Sequence, residues 1–206
     1  FRSAQLIASG RARRVLVLTP ESLVNQWFVE LLRRFNLAFA IYDEERCEAL
    51  ELASRENGGS HGNPFEDEQL VLASVDWLAS HPKRAAQALD GEWDLLLVDE
   101  AHHLAWSQDA QSAGYTLVES LARATPALLL LTATPEQLGL GGHFARLRLL
   151  DPERYADLPG FVAEQSRYLA LSALADRLLA SEALTAGDMQ LLAPLFPDEA
   201  DRLASR

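Results

Sequence analysis

The 206 residues include one cysteine, one methionine and one lysine. The lone Cys47 excludes an internal disulfide and any zinc site built on a thiolate pair, and it makes the cytoplasm the expected compartment. Long hydrophobic runs are also missing. The purely apolar stretches around Ala127 to Leu131 and Leu95 to Val98 fall far short of the ~20 residues that a membrane-spanning helix needs. No basic-then-apolar leader is legible, so no membrane partner is expected. No self-similar period appears, which excludes a repeat array. Positive charge is scarce: 18 basic against 30 acidic residues give a net charge of −12, which argues against whole-surface affinity for nucleic acid. What remains is a chain with 49% apolar and 23% charged residues, an ordinary globular composition long enough to bury a core.

Charge is uneven along the chain. Residues 1–42 hold six arginines against two glutamates, whereas residues 43–150 hold seven basic against eighteen acidic residues and residues 151–206 five against ten. Arg11, Arg13, Arg14, Arg33 and Arg34 are candidates for a local basic patch, although solvated arginines at helix ends explain them equally well.

Val15-Leu16-Val17-Leu18 reads as a strand buried on both faces, closed by Thr19 and Pro20. Leu23, Val24, Trp27, Phe28, Leu31, Leu32 and Phe35 follow at helical spacing. A second strand, Ala38 to Tyr42, leads into an acidic stretch, Asp43 to Glu56. A glycine-rich segment, Asn57 to Pro64, then reads as a mobile surface excursion. Further on come a strand Gln69 to Ser74, a helix Val75 to Leu89, a strand Trp93 to Asp99, a helix near Gln111 to Ala124 and a strand Ala127 to Thr132. Such alternation predicts an α/β, doubly wound parallel sheet over residues 1–150. Residues 151–206 carry helical Leu and Ala spacing broken by Pro159, Gly187, Pro194 and Pro197, and read as a helical extension.

Open parallel sheets bind ligands beyond the carboxyl ends of their strands. Those ends are Thr19-Pro20, Ser74-Val75-Asp76, Asp99-Glu100-Ala101-His102 and Thr132-Ala133-Thr134-Pro135. The third is the most informative. A given tetrapeptide occurs by chance in a chain of this length with probability on the order of 10⁻³, and two adjacent acids ending a buried strand carry an electrostatic cost. A divalent ion offsets it: one carboxylate holds Mg²⁺ while its neighbour deprotonates an attacking water, the division of labour in nucleoside-triphosphate hydrolysis. His102 and His103 do not make a zinc site with Glu100, because adjacent helical residues point about 100° apart and the His-Glu-x-x-His spacing is absent. Ser60 and His61 lack an orienting acid. Trp27 and Trp93 read as core packing.

These segments resemble superfamily 2 helicases and translocases. Asp99-Glu100-Ala101-His102 is similar to their Walker B (DEAH) box, Leu131 to Pro135 to their third motif, and Val15 to Trp27 to motif Ia of the Swi/Snf-type branch, where Gln26-Trp27 is distinctive. Leu31 to Leu37, Trp93 to Leu95 and His143 to Pro152 further resemble the bacterial, RNA polymerase-associated members of that branch. The resemblance implies a RecA-like lobe using ATP and Mg²⁺, with Asp99 on the metal and Glu100 as the base for water. It implies that His102 relays nucleotide state to Thr132, Ala133 and Thr134, and that Thr19, Pro20, Gln26 and Ser74 meet nucleic acid. The implied partners are RNA polymerase and DNA or RNA, with the protein acting as a cytoplasmic, nucleoid-associated monomer. For Thr19 and Ser74, simple helix capping is an equal alternative.

The family's Gly-Lys-Thr phosphate loop has no counterpart here, since the single lysine, Lys83, follows no glycine run. Phe1 to Gly10 reads as the second half of the helix after such a loop, which places the loop upstream and makes this stretch alone inactive toward ATP. Two alternatives stay open: a non-catalytic docking module with an acidic face, and a duplex-DNA remodeller unconnected with polymerase.

Overall fold

The apolar runs that end on Thr19, Ser74 and Asp99 lie side by side. The computed structural model describes residues 10–56, 62–133, 139–180 and 185–192. It divides into two units, Phe1–Ala156 and Asp157–Arg206. In the first, the described residues form five strands: β1 (Val15–Thr19), β2 (Ala40–Tyr42), β3 (Leu70–Ser74), β4 (Leu95–Val98) and β5 (Leu128–Leu130). They make one sheet in the order β2-β3-β1-β4-β5. Every pairing is parallel, and the register sets Thr19 opposite Ser74 and Leu18 opposite Val98. The expected doubly wound parallel architecture is the one observed.

Side chains alternate across a strand, so each run serves two cores. Val15, Val17, Leu72, Leu95 and Leu97 pack with Val24 and Leu31 of helix α1 (Val24–Phe35). Leu16, Leu18, Val71, Ala73, Leu96 and Val98 face the other way. Over them lie α2 (Glu44–Glu56), α3 (Val75–Ser80), α4 (Pro82–Leu89), α5 (Ala113–Ala124) and α6 (Gly139–Leu150). From β1 the chain crosses through α1 to the β2 edge, and from β4 it crosses through α5 to β5 on the opposite side. The boundary between β1 and β4 is therefore the point where connections diverge, the place where open α/β sheets take ligands.

Three local expectations change. The acidic stretch after Asp43 is a helix, α2, whose Cys47 is fully buried. Its carboxylates are not all solvated, because Arg84 of α4, only 2% exposed, pairs with Glu44 at 2.6 Å and Glu51 at 2.5 Å. The glycine-rich segment ends in core rather than on the surface: Pro64 and Phe65 are buried, and the Phe65 ring packs on Tyr42 and Trp93. Residues 57–61, with Ser60 and His61, lie outside the described residues. Finally, the single helix expected over Val75 to Leu89 is two. Pro82 starts α4 and holds His81 at φ −119°, ψ 86°, outside the helical region, as a residue before proline prefers.

Two of the basic candidates at the start of the chain, Arg14 and Arg34, have side-chain partners within the fold. Arg14 is structural: its Nε donates to Gly91 O at 2.8 Å, its Nη2 to Phe65 O at 2.6 Å, and its guanidinium lies over the Trp93 ring. The backbone N–H groups of Arg13 and Arg14 both donate to Asp94, at 2.7 and 2.9 Å, and hold its carboxyl below the usual range. Arg34 pairs with Glu30 one turn away. Arg13 and Arg14 precede β1 and so lie at the sheet's amino end, a strand's length from the carboxyl ends.

In the second unit, α7 (Leu158–Leu179) starts at Asp157, whose side chain accepts from Gly160 N at 2.7 Å. Thr185 caps α8 (Ala186–Leu192), its Oγ1 accepting from Asp188 N at 3.3 Å, while its N–H and hydroxyl donate to the Asp188 carboxylate, which also pairs with Arg177 of α7. No helix among the described residues is long and apolar enough to cross a membrane.

Candidate active site

At the β1/β4 boundary a cleft of about 340 Å³ is lined by Pro20, Asp76, Asp99, Glu100, His103 and Ser112, with Val75, Leu104 and Gly114 as its apolar wall. Three strand ends thus converge on one space. Val98 is the last residue of β4, and the Asp99 N–H still donates to Leu18 O of β1 at 2.8 Å, so the sheet itself fixes where Asp99 leaves it. Asp99 Oδ2 accepts the indole N–H of Trp27 at 2.6 Å, across from α1.

Glu100 comes next with φ 49°, ψ 41°. That left-handed conformation costs a residue with a Cβ about 1–2 kcal/mol, and glutamate has no short side chain to offset it locally. The turn is nevertheless held, because Ala101 N donates to Leu131 O and Leu131 N to Val98 O, both at 2.8 Å. Those two bonds clamp the turn after β4 to the residue after β5. Residues 101–103 then form a 3-10 turn that begins with fully buried Ala101.

His102 Nδ1 sits 3.0 Å from Glu100 Oε2 and 3.2 Å from Thr132 Oγ1. Glu100 Oε2 is shielded from solvent and meets the imidazole at ion-pair distance, with no hydrogen-bond donor among the described residues. The His102 and His103 rings lie 4.1 Å apart, centroid to centroid. Asp99 and Glu100 are hard oxygen donors lining the cleft, a fit for Mg²⁺ with its retained waters. The structure supplies no lysine to go with them: Lys83 is bound to Glu51, on α4.

The remaining candidates are dispersed. Thr19 is wholly buried, and its hydroxyl has no hydrogen-bond partner among the described residues. Ser74, 3% exposed, uses its hydroxyl to cap α3, accepting from Trp77 N at 3.2 Å. Pro20 lines the cleft, whereas Gln26 is exposed and lines a separate cavity along α1. Ala133 is exposed; Thr134 lies outside the described residues. Sequence reasoning assigned Trp27 to core packing and gave no role to His103 and Ser112. The only signal for Trp27 was its place in the first turns of the helix that leaves β1 beside β4. Trp93, by contrast, is buried at 3% exposure and donates to Ala88 O at 2.7 Å, as a core tryptophan should.

The family model described as "Type III restriction enzyme, res subunit" matches residues 2–137. Among curated relatives, the RNA polymerase-associated protein RapA of Actinobacillus pleuropneumoniae serotype 7 is 52% identical over 95% of this chain and 20% of its own length. RapA of Vibrio parahaemolyticus is 54% identical over 87% of this chain and 18% of its own length. The chain thus spans about a fifth of the relatives it matches. Among solved structures, the Sulfolobus solfataricus SWI2/SNF2 ATPase core in complex with dsDNA superposes with a TM-score of 0.55 at 18% identity, over 94% of this chain and 34% of that one. That likeness establishes a RecA-like α/β fold. With the family model covering well over half of its residues, the chain belongs to the family described as type III restriction enzyme, res subunit.

Proposed function

We propose that this chain is the nucleotide-facing lobe of a Swi/Snf-type, ATP-driven nucleic-acid translocase that acts on RNA polymerase in the bacterial cytoplasm. One observation carries the catalytic part: two adjacent carboxylates leave β4 into the cleft at the β1/β4 boundary, the second in a left-handed backbone conformation. Strain of this kind persists where the surrounding structure over-determines it, and functional sites are where it collects. The polymerase and nucleic-acid parts draw on the names of the relatives and the structural neighbour.

In this reading Asp99 would hold Mg²⁺, which when bound neutralises charge on the phosphates. Glu100 takes the proton of the attacking water, and its left-handed backbone sets the direction from which it does so. His102, between Glu100 and Thr132, carries the state of that carboxylate to the segment after β5. Ser74 spends its hydroxyl on capping α3, whereas Thr19, buried at the end of β1, has a hydroxyl with no partner among the described residues. An acidic docking face is the weaker reading, because Glu44, Glu51 and Asp94 spend their charge on Arg84 and on backbone N–H groups within the fold.

The deciding experiment is ATP turnover by a full-length polypeptide carrying this chain, with and without DNA and RNA polymerase. Glu100→Gln is expected to lower turnover by about a hundredfold while nucleotide still binds. Equal, negligible turnover in both forms rejects the reading. The 206-residue chain alone, which has no Gly-Lys-Thr loop, is expected not to hydrolyse ATP; saturable micromolar binding of Mg-ATP to it overturns that expectation.

A further inference from the structure

Trp27 lines one cavity and hydrogen bonds to a residue that lines another. Its ring lines the space of about 420 Å³ along α1 with Gln26, Glu30, Leu31, Arg34 and Phe35, while its indole N–H donates to Asp99 Oδ2 in the neighbouring cleft. The indole is half-buried, and the 2.6 Å contact joins residues 72 positions apart in sequence. Among the described residues this is the one side chain that hydrogen-bonds to Asp99.

A carboxylate that ends a strand has free rotation about χ1 and χ2 unless something fixes it. The Asp99 backbone is fixed by Leu18 O, but that bond leaves the side chain to turn. An indole N–H is a donor only, so it occupies one carboxylate oxygen and leaves the other to face the cleft. The donor itself is rigid. Trp27 is anchored in α1, whose Val24 and Leu31 are buried against the sheet, and it packs beside the same core.

We propose that Trp27 is a positioning residue for Asp99: its indole N–H sets which carboxylate oxygen is presented to a divalent ion, and through α1 it ties the cavity beside Gln26 to that ion's site. The inference rests on the reading of Asp99 as the metal-facing carboxylate. Partners that orient metal ligands in this way change metal affinity by roughly ten- to a hundredfold when removed.

The test uses a full-length polypeptide carrying this chain. Binding of Mn²⁺ is followed by electron paramagnetic resonance in the presence of a non-hydrolysable ATP analogue, for wild type, Trp27→Phe and Trp27→His. Phenylalanine keeps most of the packing and removes the N–H, so Mn²⁺ affinity is expected to fall about tenfold or more. Histidine restores a ring N–H and is expected to recover part of the loss. A second measurement needs no substitution. With ¹⁵N-labelled indoles, the Trp27 N–H resonance is expected to move when Mg²⁺ and the analogue are added, and that of Trp93, bonded to Ala88 O, to stay. Unchanged Mn²⁺ affinity in Trp27→Phe, or a Trp27 resonance indifferent to metal, overturns the inference. Wild type that binds no Mn²⁺ with the analogue and hydrolyses no ATP instead overturns the reading of Asp99.

Discussion

His102 Nδ1 stands between two oxygens, 3.0 Å from Glu100 Oε2 and 3.2 Å from Thr132 Oγ1. Nδ1 is hydrogen-bonded to Thr132 and lies within ion-pair reach of Glu100, so a turn of the imidazole between the two oxygens would act as a switch. If this switch links the turn after β4 to the segment after β5, His102→Ala and Thr132→Ala break the same link. Each is expected to lower nucleic-acid stimulation of ATP turnover in the full-length polypeptide, and the double substitution to cost little more than either alone. A double-mutant cycle measures this. Additive losses show that the two residues act independently.

Arg84 supports the fold rather than the chemistry. It is 2% exposed, reaches Glu44, Glu51 and Gln87, and so fastens α4 to α2. Arg84→Met leaves Glu44, whose side chain is 38% exposed, without its cation and Glu51 with Lys83 alone, and losing the partner of such partly solvated groups costs about 1–3 kcal/mol. Urea unfolding of the 206-residue chain is expected to report that loss. Cys47 offers a local probe, since burial pushes its thiol up to about 11 and keeps it inert in the folded state. In Arg84→Met, α2 loosens and Cys47 is expected to react with an alkylating reagent well before global unfolding.

The same cluster sets an acid limit. Burial raises the Glu51 carboxyl, but hydrogen bonds from Lys83, Gln87 and Arg84 outweigh it and bring the group from 4.5 to about 2. Glu44 is also lowered, chiefly by its hydrogen bond from Arg84. A depressed folded value means that the unfolded chain binds the proton more readily. The contribution is therefore complete above about pH 4.5 and is lost as the pH falls toward about 2. Wild type is expected to lose stability across that window, and Arg84→Met to lose less of it, by urea unfolding at a series of pH values.

These residues also mark what was legible in the sequence. The five strands announce themselves as short apolar runs closed by small or acidic residues, and alternation with helical spacing implies their parallel order. Asp99 and Glu100 are conspicuous because two acids end a buried run. Helix α2 is not legible, because its stabilising cation is supplied from 33 or 40 residues away and only Cys47 of its residues is fully buried. Local pattern sees an acidic stretch where tertiary pairing makes a packed helix. Trp27 is obscured for a related reason: apolar spacing says which face of α1 is buried, but not that an indole N–H reaches Asp99 over the edge of the sheet.

The backbone at Glu100 allows stability and function to be separated. At φ 49° a residue with a Cβ carries a cost of about 1–2 kcal/mol that glycine escapes. Glycine also frees the unfolded chain, which returns about 0.4–1 kcal/mol of that gain. Glu100→Gly is therefore expected to be as stable as wild type or more so, and Glu100→Gln, which keeps the strained geometry, to match wild type. Both are expected to lose turnover in the full-length polypeptide. Urea unfolding of the three forms, set beside their ATP turnover, checks this. If Glu100→Gly is markedly less stable, the carboxylate holds the turn together, and the left-handed conformation is a consequence of that role rather than a cost borne for aiming the base.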